Sequence, residues 1–66
     1  MKVTINGQEK TLANNLTLEI LLTNLGYANK KVAIEVNEEI IPRSHFKNRL
    51  IVNGDKIEII NAVGGG

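Results

Sequence analysis

Three consecutive glycines, Gly64, Gly65 and Gly66, follow the last apolar stretch of the sequence and are its best candidates for chemistry. Glycine has no Cβ, so such a segment can enter a narrow channel and bring an unhindered carboxyl group to an active site. A carboxylate is a poor electrophile, but ATP can convert it into an acyl adenylate, whose leaving group lets a sulfur nucleophile attack. The segment therefore predicts group transfer at the carboxyl group of Gly66, with Gly64 and Gly65 lying in the channel of a partner.

The absence of cysteine limits the positions at which the chain could carry sulfur. With no cysteine among 66 residues, the chain has no side-chain thiol on which to form a disulfide, a thiolate metal site, a persulfide or a thioester. If the chain carries sulfur, the predicted place is the carboxyl group of Gly66, as a thiocarboxylate. The competing interpretation is a frayed end or a leftover linker, because termini and small-residue linkers are often disordered.

Other candidate sites are weak. The single histidine, His45, precedes Phe46, and such a histidine is more typical of a surface or packing residue than of a catalytic group or metal ligand. Glu38 and Glu39 are adjacent in a predicted turn, where solvated charges are more common than an acid and base pair. We therefore predict no catalytic residue, no metal site and no bound cofactor.

Size and charge limit the available functions. A chain of 66 residues has room for one domain, which has little stability to spare for a deep substrate pocket, so an enzyme is not expected. The formal charge is +1, and the two aromatic residues are Tyr27 and Phe46, which argues against nucleic-acid binding. The sequence shows no signal peptide and no apolar run of membrane-spanning length, so we expect a cytoplasmic protein.

The first half of the chain predicts a hairpin followed by a helix. Asn6-Gly7 tolerates positive φ at both positions, so residues 2–5 and 8–12 are expected to pair across a two-residue turn. Apolar residues spaced i, i+3, i+4 and i+7 then predict one buried helical face. Thr17 is the predicted N-cap of this helix and Gly26 its left-handed C′ residue. The face consists of Leu18, Leu21, Leu22 and Leu25.

The second half predicts the remaining strands. Turns are expected at residues 37–39 and 53–55, and Pro42 confines the strand before it to a sheet edge. Ser44 is expected to cap a single helical turn that continues through Lys47. The predicted strands are residues 32–36, 40–41, 50–52 and a last strand from Lys56 to about Val63.

The order of strand, strand, helix, strand, short strand and strand is typical of a single mixed sheet with one helix on one face. We therefore predict an α+β fold, the β-grasp of ubiquitin, with four to five strands and with the first and last strands as central neighbours. Residues 1–63 would form this domain and residues 64–66 a flexible tail. The leucine face is expected to pack on Val3, Ile5, Val32, Ile34, Ile57 and Ile59.

A docking surface is predicted on the opposite face of the sheet. If Ile57 and Ile59 face the helix, the period of two sends Ile60 and Ala62 to the other side, and Val63 follows beside the tail. Apolar groups at this position could form a partner surface. Ordinary scattered surface hydrophobic residues are an equally good explanation from sequence alone.

Several short motifs follow one another along the whole chain. The Asn6-Gly7 hairpin precedes Thr17-Leu18-Glu19-Ile20-Leu21-Leu22, then Val36-Asn37, Ile41-Pro42-Arg43 with Phe46, and Gly54-Asp55-Lys56-Ile57-Glu58-Ile59. The most specific segment is Ala62-Val63-Gly64-Gly65-Gly66. In this order and spacing the motifs resemble the bacterial ThiS family of thiamine-biosynthesis sulfur carriers. Phe46 stands where that family often has tryptophan, a conservative difference.

The resemblance implies a sulfur carrier for thiazole formation. A ThiF-like adenylating enzyme would use ATP to activate Gly66, and the sulfur would come ultimately from cysteine through a cysteine desulfurase. A ThiG-like thiazole synthase would then receive sulfur from the thiocarboxylate. On this interpretation the chain is a recycled co-substrate of its partners and not an enzyme.

Two alternatives stay open from the sequence. The small subunit of molybdopterin synthase and other ubiquitin-like sulfur carriers share the fold and the diglycine end, although the short length and residues 41–43 favour the thiamine branch. A β-grasp module that only binds a protein or RNA would need no free carboxyl group. A C-terminal tag discriminates between these classes, because it should abolish carrier function and leave simple binding intact.

Overall fold

The computed structural model describes residues 1–61 of the chain. This part contains five strands, one α-helix and a short 3₁₀ turn. The predicted boundary between the domain and the tail, at residues 63 and 64, lies outside the described residues. The elements are β1 (Lys2–Ile5), β2 (Gln8–Thr11), α1 (Leu18–Asn24), β3 (Val32–Val36), β4 (Glu39–Ile41), the 3₁₀ turn (Arg43–His45) and β5 (Lys56–Asn61).

The five strands form one mixed sheet in the order β2-β1-β5-β3-β4. β1 and β5 are parallel neighbours near its middle, while β1 with β2, β3 with β4 and β3 with β5 are antiparallel. The first and last strands are therefore neighbours, as predicted. With one helix packed on one face, this arrangement confirms the predicted α+β β-grasp fold.

Two hairpins are closed by residues with positive φ. Asn6 and Gly7 have φ of 50° and 83° between β1 and β2, and Asn37 and Glu38 have φ of 54° and 70° between β3 and β4. Positive φ at both central residues defines the type I′ turn, whose twist suits paired strands. The turn predicted at Asn6-Gly7 is confirmed. The turn predicted at residues 37–39 is confirmed at Asn37 and Glu38, whereas Glu39 is already the first residue of β4.

The helix begins and ends at the predicted residues. The Thr17 side chain accepts a hydrogen bond from the Ile20 amide at 3.2 Å, which satisfies one of the free amides of the first turn. Gly26 has φ of 89°, and the Tyr27 amide donates to the Leu22 carbonyl at 2.8 Å. These features form a Schellman end, which depends on a residue such as glycine that adopts positive φ without strain.

The core lies between α1 and one face of the sheet. Leu18, Leu21 and Leu22 are buried as predicted, but Leu25 is 45% exposed, so its assignment to the buried face is wrong. Leu25 is the C-cap residue of the helix, so it lies at the very end of the leucine face, where its side chain stays partly in solvent. The buried apolar residues are Val3, Ile5, Leu18, Leu21, Leu22, Val32, Ile34, Val36, Ile41, Phe46, Ile51, Ile57 and Ile59.

Residues 50–52 do not form the predicted strand. Leu50 makes an isolated bridge with Thr17, and the Ile51 amide donates to the Leu16 carbonyl at 2.8 Å. These hydrogen bonds go to the loop before α1 and not to the sheet, so the segment supports the start of the helix. Ile51 is buried and both of its neighbours are exposed, which explains why the alternation resembled a strand.

The helical turn near Ser44 also differs from the prediction. It covers Arg43–His45 and begins after Pro42, which has φ of −60° and forms no side-chain cap. Because proline fixes φ at a value suitable for helical entry, the turn starts before Ser44 and that residue lies inside it. The prediction that Ser44 caps the turn is wrong. The turn brings Phe46 into the core, where it is 7% exposed.

Candidate functional site

The predicted chemical site lies beyond the described residues. Gly64, Gly65 and Gly66, together with Ala62 and Val63 of the predicted docking surface, all fall outside residues 1–61. The structure does describe β5, the strand that leads to them. The geometry of the candidate site is therefore the geometry of this strand, of its two ends and of the sheet face beside it.

β5 pairs with β3 over most of its length and with β1 at its start. β3 pairs with it in antiparallel register from Val36↔Ile57 to Val32↔Asn61. On the other side, the parallel pairing with β1 includes Ile5↔Ile57. Ile57 is fully buried. β5 is therefore anchored in the middle of the sheet as far as Asn61.

Asn6 continues the support of β5 past the end of β1. Its backbone amide donates to the Ile57 carbonyl at 2.9 Å, and its side-chain Oδ1 accepts from the Ile59 amide at 2.7 Å. Sequence reasoning assigned Asn6 only to the hairpin turn. Two facts could have indicated this contact. Asn6 carries a side-chain oxygen that can accept a hydrogen bond, and β5, the predicted neighbour of β1, is longer than β1 and continues past the turn.

Asp55 organises the start of β5. It is 4% exposed, and its carboxylate accepts hydrogen bonds from the Val52 amide and from Nδ2 of Asn37, each at 2.9 Å. Oδ1 of Asn37 in turn accepts from the Lys56 amide at 2.9 Å. A buried charge needs such partners, because an unpaired one is strongly destabilising. Sequence reasoning placed Asp55 in a turn and did not identify this network.

The outer face of the sheet carries both apolar and acidic side chains. Ile60 is 53% exposed and Ile40 is 71% exposed. Ile60 therefore has the predicted orientation, away from the helix, while its role in docking stays a prediction. Between them, Glu35 and Glu58 stand directly opposite each other on β3 and β5, and both are half-buried.

Three residues were weak candidates for a catalytic or metal-binding role from the sequence. These residues, His45, Glu38 and Glu39, are all exposed in the structure. Within residues 1–61, no three side chains of His, Cys, Asp or Glu lie close enough to share a metal ion. In the same part of the chain, no helix combines the length and the apolar character needed to cross a membrane.

One family model, and known proteins that carry the name of that family, match this chain. The model of the ThiS family matches residues 3–66. The sulfur carrier protein ThiS of Bacillus subtilis is 35% identical over 94% of this chain and 96% of its own length. The crystal structure of the thiamine biosynthesis protein ThiS of Geobacter metallireducens is 33% identical, covers 100% of both chains and superposes with a TM-score of 0.85.

A longer protein also contains a similar segment. The thiazole synthase of Paramagnetospirillum magneticum is 44% identical over the whole of this chain, which spans 20% of the length of that relative. Together the matches confirm the predicted fold and the predicted class, a sulfur carrier in thiamine biosynthesis. The chain belongs to the ThiS family.

Proposed function

We propose that this chain carries sulfur as a thiocarboxylate on Gly66 and delivers it for thiazole formation in thiamine biosynthesis. The observation that carries the proposal is the family match, which continues through residue 66 and so includes all three glycines. The composition supports it, because a chain without cysteine offers no side-chain thiol as an alternative carrier of sulfur. The position of β5 supports the proposal as well, because this strand is anchored in the sheet and ends three residues before Gly64 in the sequence.

The proposed chemistry has two stages. In the first, the Gly66 carboxylate attacks the α-phosphorus of ATP, and an acyl adenylate forms while pyrophosphate leaves. In the second, a persulfide sulfur attacks the acyl carbon, AMP leaves with the bonding electron pair, and an acyl disulfide forms. A thiol then attacks the sulfur of the former persulfide donor and breaks the S–S bond that the donor brought with it, which releases the thiocarboxylate on Gly66 and leaves a disulfide between the donor and the thiol.

The partners follow from this chemistry. A ThiF-like enzyme supplies the ATP-dependent adenylation, and a cysteine desulfurase is the proposed source of the persulfide. A ThiG-like thiazole synthase receives the sulfur. That last partner is supported by the segment similar to this chain within a protein named thiazole synthase. The chain acts as a co-substrate that returns to its carboxylate form, and it binds no cofactor of its own.

The proposed docking surface is formed by Ile60 together with Ala62 and Val63. Ile60 lies on the outer face of β5, opposite Ala33 of β3, and both of these apolar side chains are exposed. Burying exposed apolar area is the main favourable contribution to most protein association. A partner that covers Ile60 binds only four residues, along the sequence, before the first of the glycines that must enter its active site.

Intact-mass spectrometry tests the chemical proposal. After incubation with the ThiF-like enzyme, ATP and a persulfide donor, the protein should gain one sulfur and lose one oxygen, with the change located in the C-terminal peptide. Omitting ATP should leave the mass unchanged. A gain on an internal residue would contradict the assignment to Gly66.

Two tail variants sharpen the test. Deleting Gly66 leaves a glycine carboxylate about 3.3–3.6 Å short of the reacting phosphorus, too far for in-line attack. Gly65→Val keeps the length but adds a branched side chain that stiffens the backbone and fills a narrow channel. Both variants should fold as the parent does, by circular dichroism, and fail to gain sulfur. Equal rates for both variants and the parent would rule out Gly66 as the sulfur-bearing residue.

A further inference from the structure

Two turn asparagines hold β5 by the same kind of hydrogen bond. Asn6 and Asn37 both have positive φ, of 50° and 54°. Oδ1 of Asn6 accepts from the Ile59 amide at 2.7 Å, and Oδ1 of Asn37 accepts from the Lys56 amide at 2.9 Å. The first bond lies toward the end of the strand that leads to the glycines, and the second lies at its start.

The bond from Asn6 reaches further along β5 than the strand pairing does. The parallel pairing of β1 with β5 reaches Ile57, and the Asn6 side chain adds Ile59 to the residues held from that side. Ile60 and Asn61 follow, and their register partners lie on β3. Without the side-chain oxygen, support from the β1 side would stop at Ile57, two residues earlier.

We infer that Asn6 is a positioning residue for the reaction at Gly66. By holding the Ile59 amide, it extends the support of β5 from the β1 side to within two residues of Asn61, and so restrains the strand from which Gly66 is delivered. A carboxylate on a better-defined tether spends more time at the reacting phosphorus of a partner. The inference rests on the proposed function, because it concerns the delivery of Gly66 and not the chemistry itself.

The strength of one hydrogen bond sets the size of the effect. An ordinary protein hydrogen bond biases a two-state equilibrium by about 2- to 12-fold. Loss of the Asn6 side chain should therefore lower kcat/KM for adenylation by a factor in this range. The fall should appear mainly in kcat, because the outer-face residues that would bind the partner are unchanged.

Three variants test the role of this bond. Asn6→Gly removes the acceptor and still adopts positive φ, so the hairpin can form. Asn6→Asp keeps an oxygen that can accept the hydrogen bond, and aspartate, like asparagine, tolerates positive φ. Asn37→Gly is the control at the other end of β5. It removes the bond from the Lys56 amide and also the bond to Asp55, so it loses two side-chain hydrogen bonds where Asn6→Gly loses one. All variants are compared at a temperature at which circular dichroism shows each to be folded.

The measurements are the rate of ATP-dependent pyrophosphate release with the ThiF-like enzyme and the hydrogen exchange of the Ile59 amide. We expect Asn6→Gly to lower kcat/KM by about 2- to 12-fold and to speed Ile59 exchange. Asn6→Asp should restore both toward the parent values, and Asn37→Gly should leave kcat/KM within about twofold of the parent.

Three results would overturn the inference. They are equal rates for Asn6→Gly and Asn37→Gly, unchanged exchange at Ile59 in Asn6→Gly, or no recovery in Asn6→Asp. Failure of the proposed function looks different, because the parent protein itself would then release no pyrophosphate and gain no sulfur. The parent reaction therefore separates the two proposals.

Discussion

Along β5 the side chains alternate between two faces of the sheet that have different properties. Ile57 and Ile59 point toward α1 and are 0% and 8% exposed, whereas Ile60 points the other way and is 53% exposed. The inner face is continuous with the leucines of α1 and contains the apolar core. The inner face therefore determines stability, while the outer face is available to solvent or to a partner.

The outer face is not arranged for the stability of the isolated chain. Glu35 and Glu58 stand directly opposite each other on neighbouring strands, and like charges in this position repel. Ile40, on the other side of Glu35, is 71% exposed and gains little from burial. A face that combines repelling charges with exposed apolar groups contributes less to folding than the inner face does.

The largest expected effect is on the inner face, at Leu21. This side chain is 1% exposed, so Leu21→Ala removes buried methyl groups and leaves a cavity, at about 2–5 kcal/mol. That is a large fraction of the stability of a small domain. Chemical denaturation measures the change. Leu25→Ala is the control, because Leu25 is 45% exposed; an equal loss in both variants would contradict the difference in burial between the two leucines.

The next effect is expected at Asp55, the buried carboxylate beside the inner face. Asp55→Ala leaves the Val52 amide and the Asn37 side-chain amide without their acceptor. A buried donor without a partner costs about 1–3 kcal/mol. The denaturation midpoint should therefore fall clearly. Glu9→Ala removes a carboxylate at an exposed position of β2, where loss of the side chain uncovers no buried donor, and it should change the denaturation midpoint little.

The sequence indicated the inner face well because periodicity is a local signal. Spacings of two and of three to four residues identified β1, β3, β5 and the buried part of α1. The Asn6–Ile59 bond joins residues 53 apart, and no local pattern encodes such a contact. The misassigned residues 50–52 have the same cause, since a buried residue between two exposed ones resembles a strand wherever its hydrogen bonds go.

On the outer face, substitutions at Glu35 and Glu58 are expected to stabilise the fold, by less than the losses expected at Leu21 and Asp55. Glu35→Lys places a positive charge opposite Glu58, replacing repulsion by attraction, and should stabilise the fold by about 0.2–1 kcal/mol. Glu58→Lys should do the same. The double variant restores like charges and should return close to the parent value. A double variant with the summed gain would show that the two carboxylates do not interact.

The smallest effect on stability is expected at Ile60. This residue lies on the outer face and is also part of the proposed docking surface. Because Ile60 is already 53% exposed, Ile60→Asp should change the free energy of unfolding by no more than about 0.5 kcal/mol. Its effect on association should be larger, since a charge placed in a buried apolar contact loses hydration without gaining a partner. Affinity for the ThiF-like enzyme, measured by calorimetry, should fall about 10-fold or more.

Val52→Asp provides the matched control for Ile60→Asp. Val52 is 57% exposed but lies outside the sheet, in the segment before β5. Both variants add one negative charge at an exposed apolar position, so a general effect of charge on association would weaken binding equally in the two. Selective loss in Ile60→Asp would locate the partner on the outer face of β5. Full retention of binding would show that Ile60 is an ordinary exposed residue and that docking uses another surface.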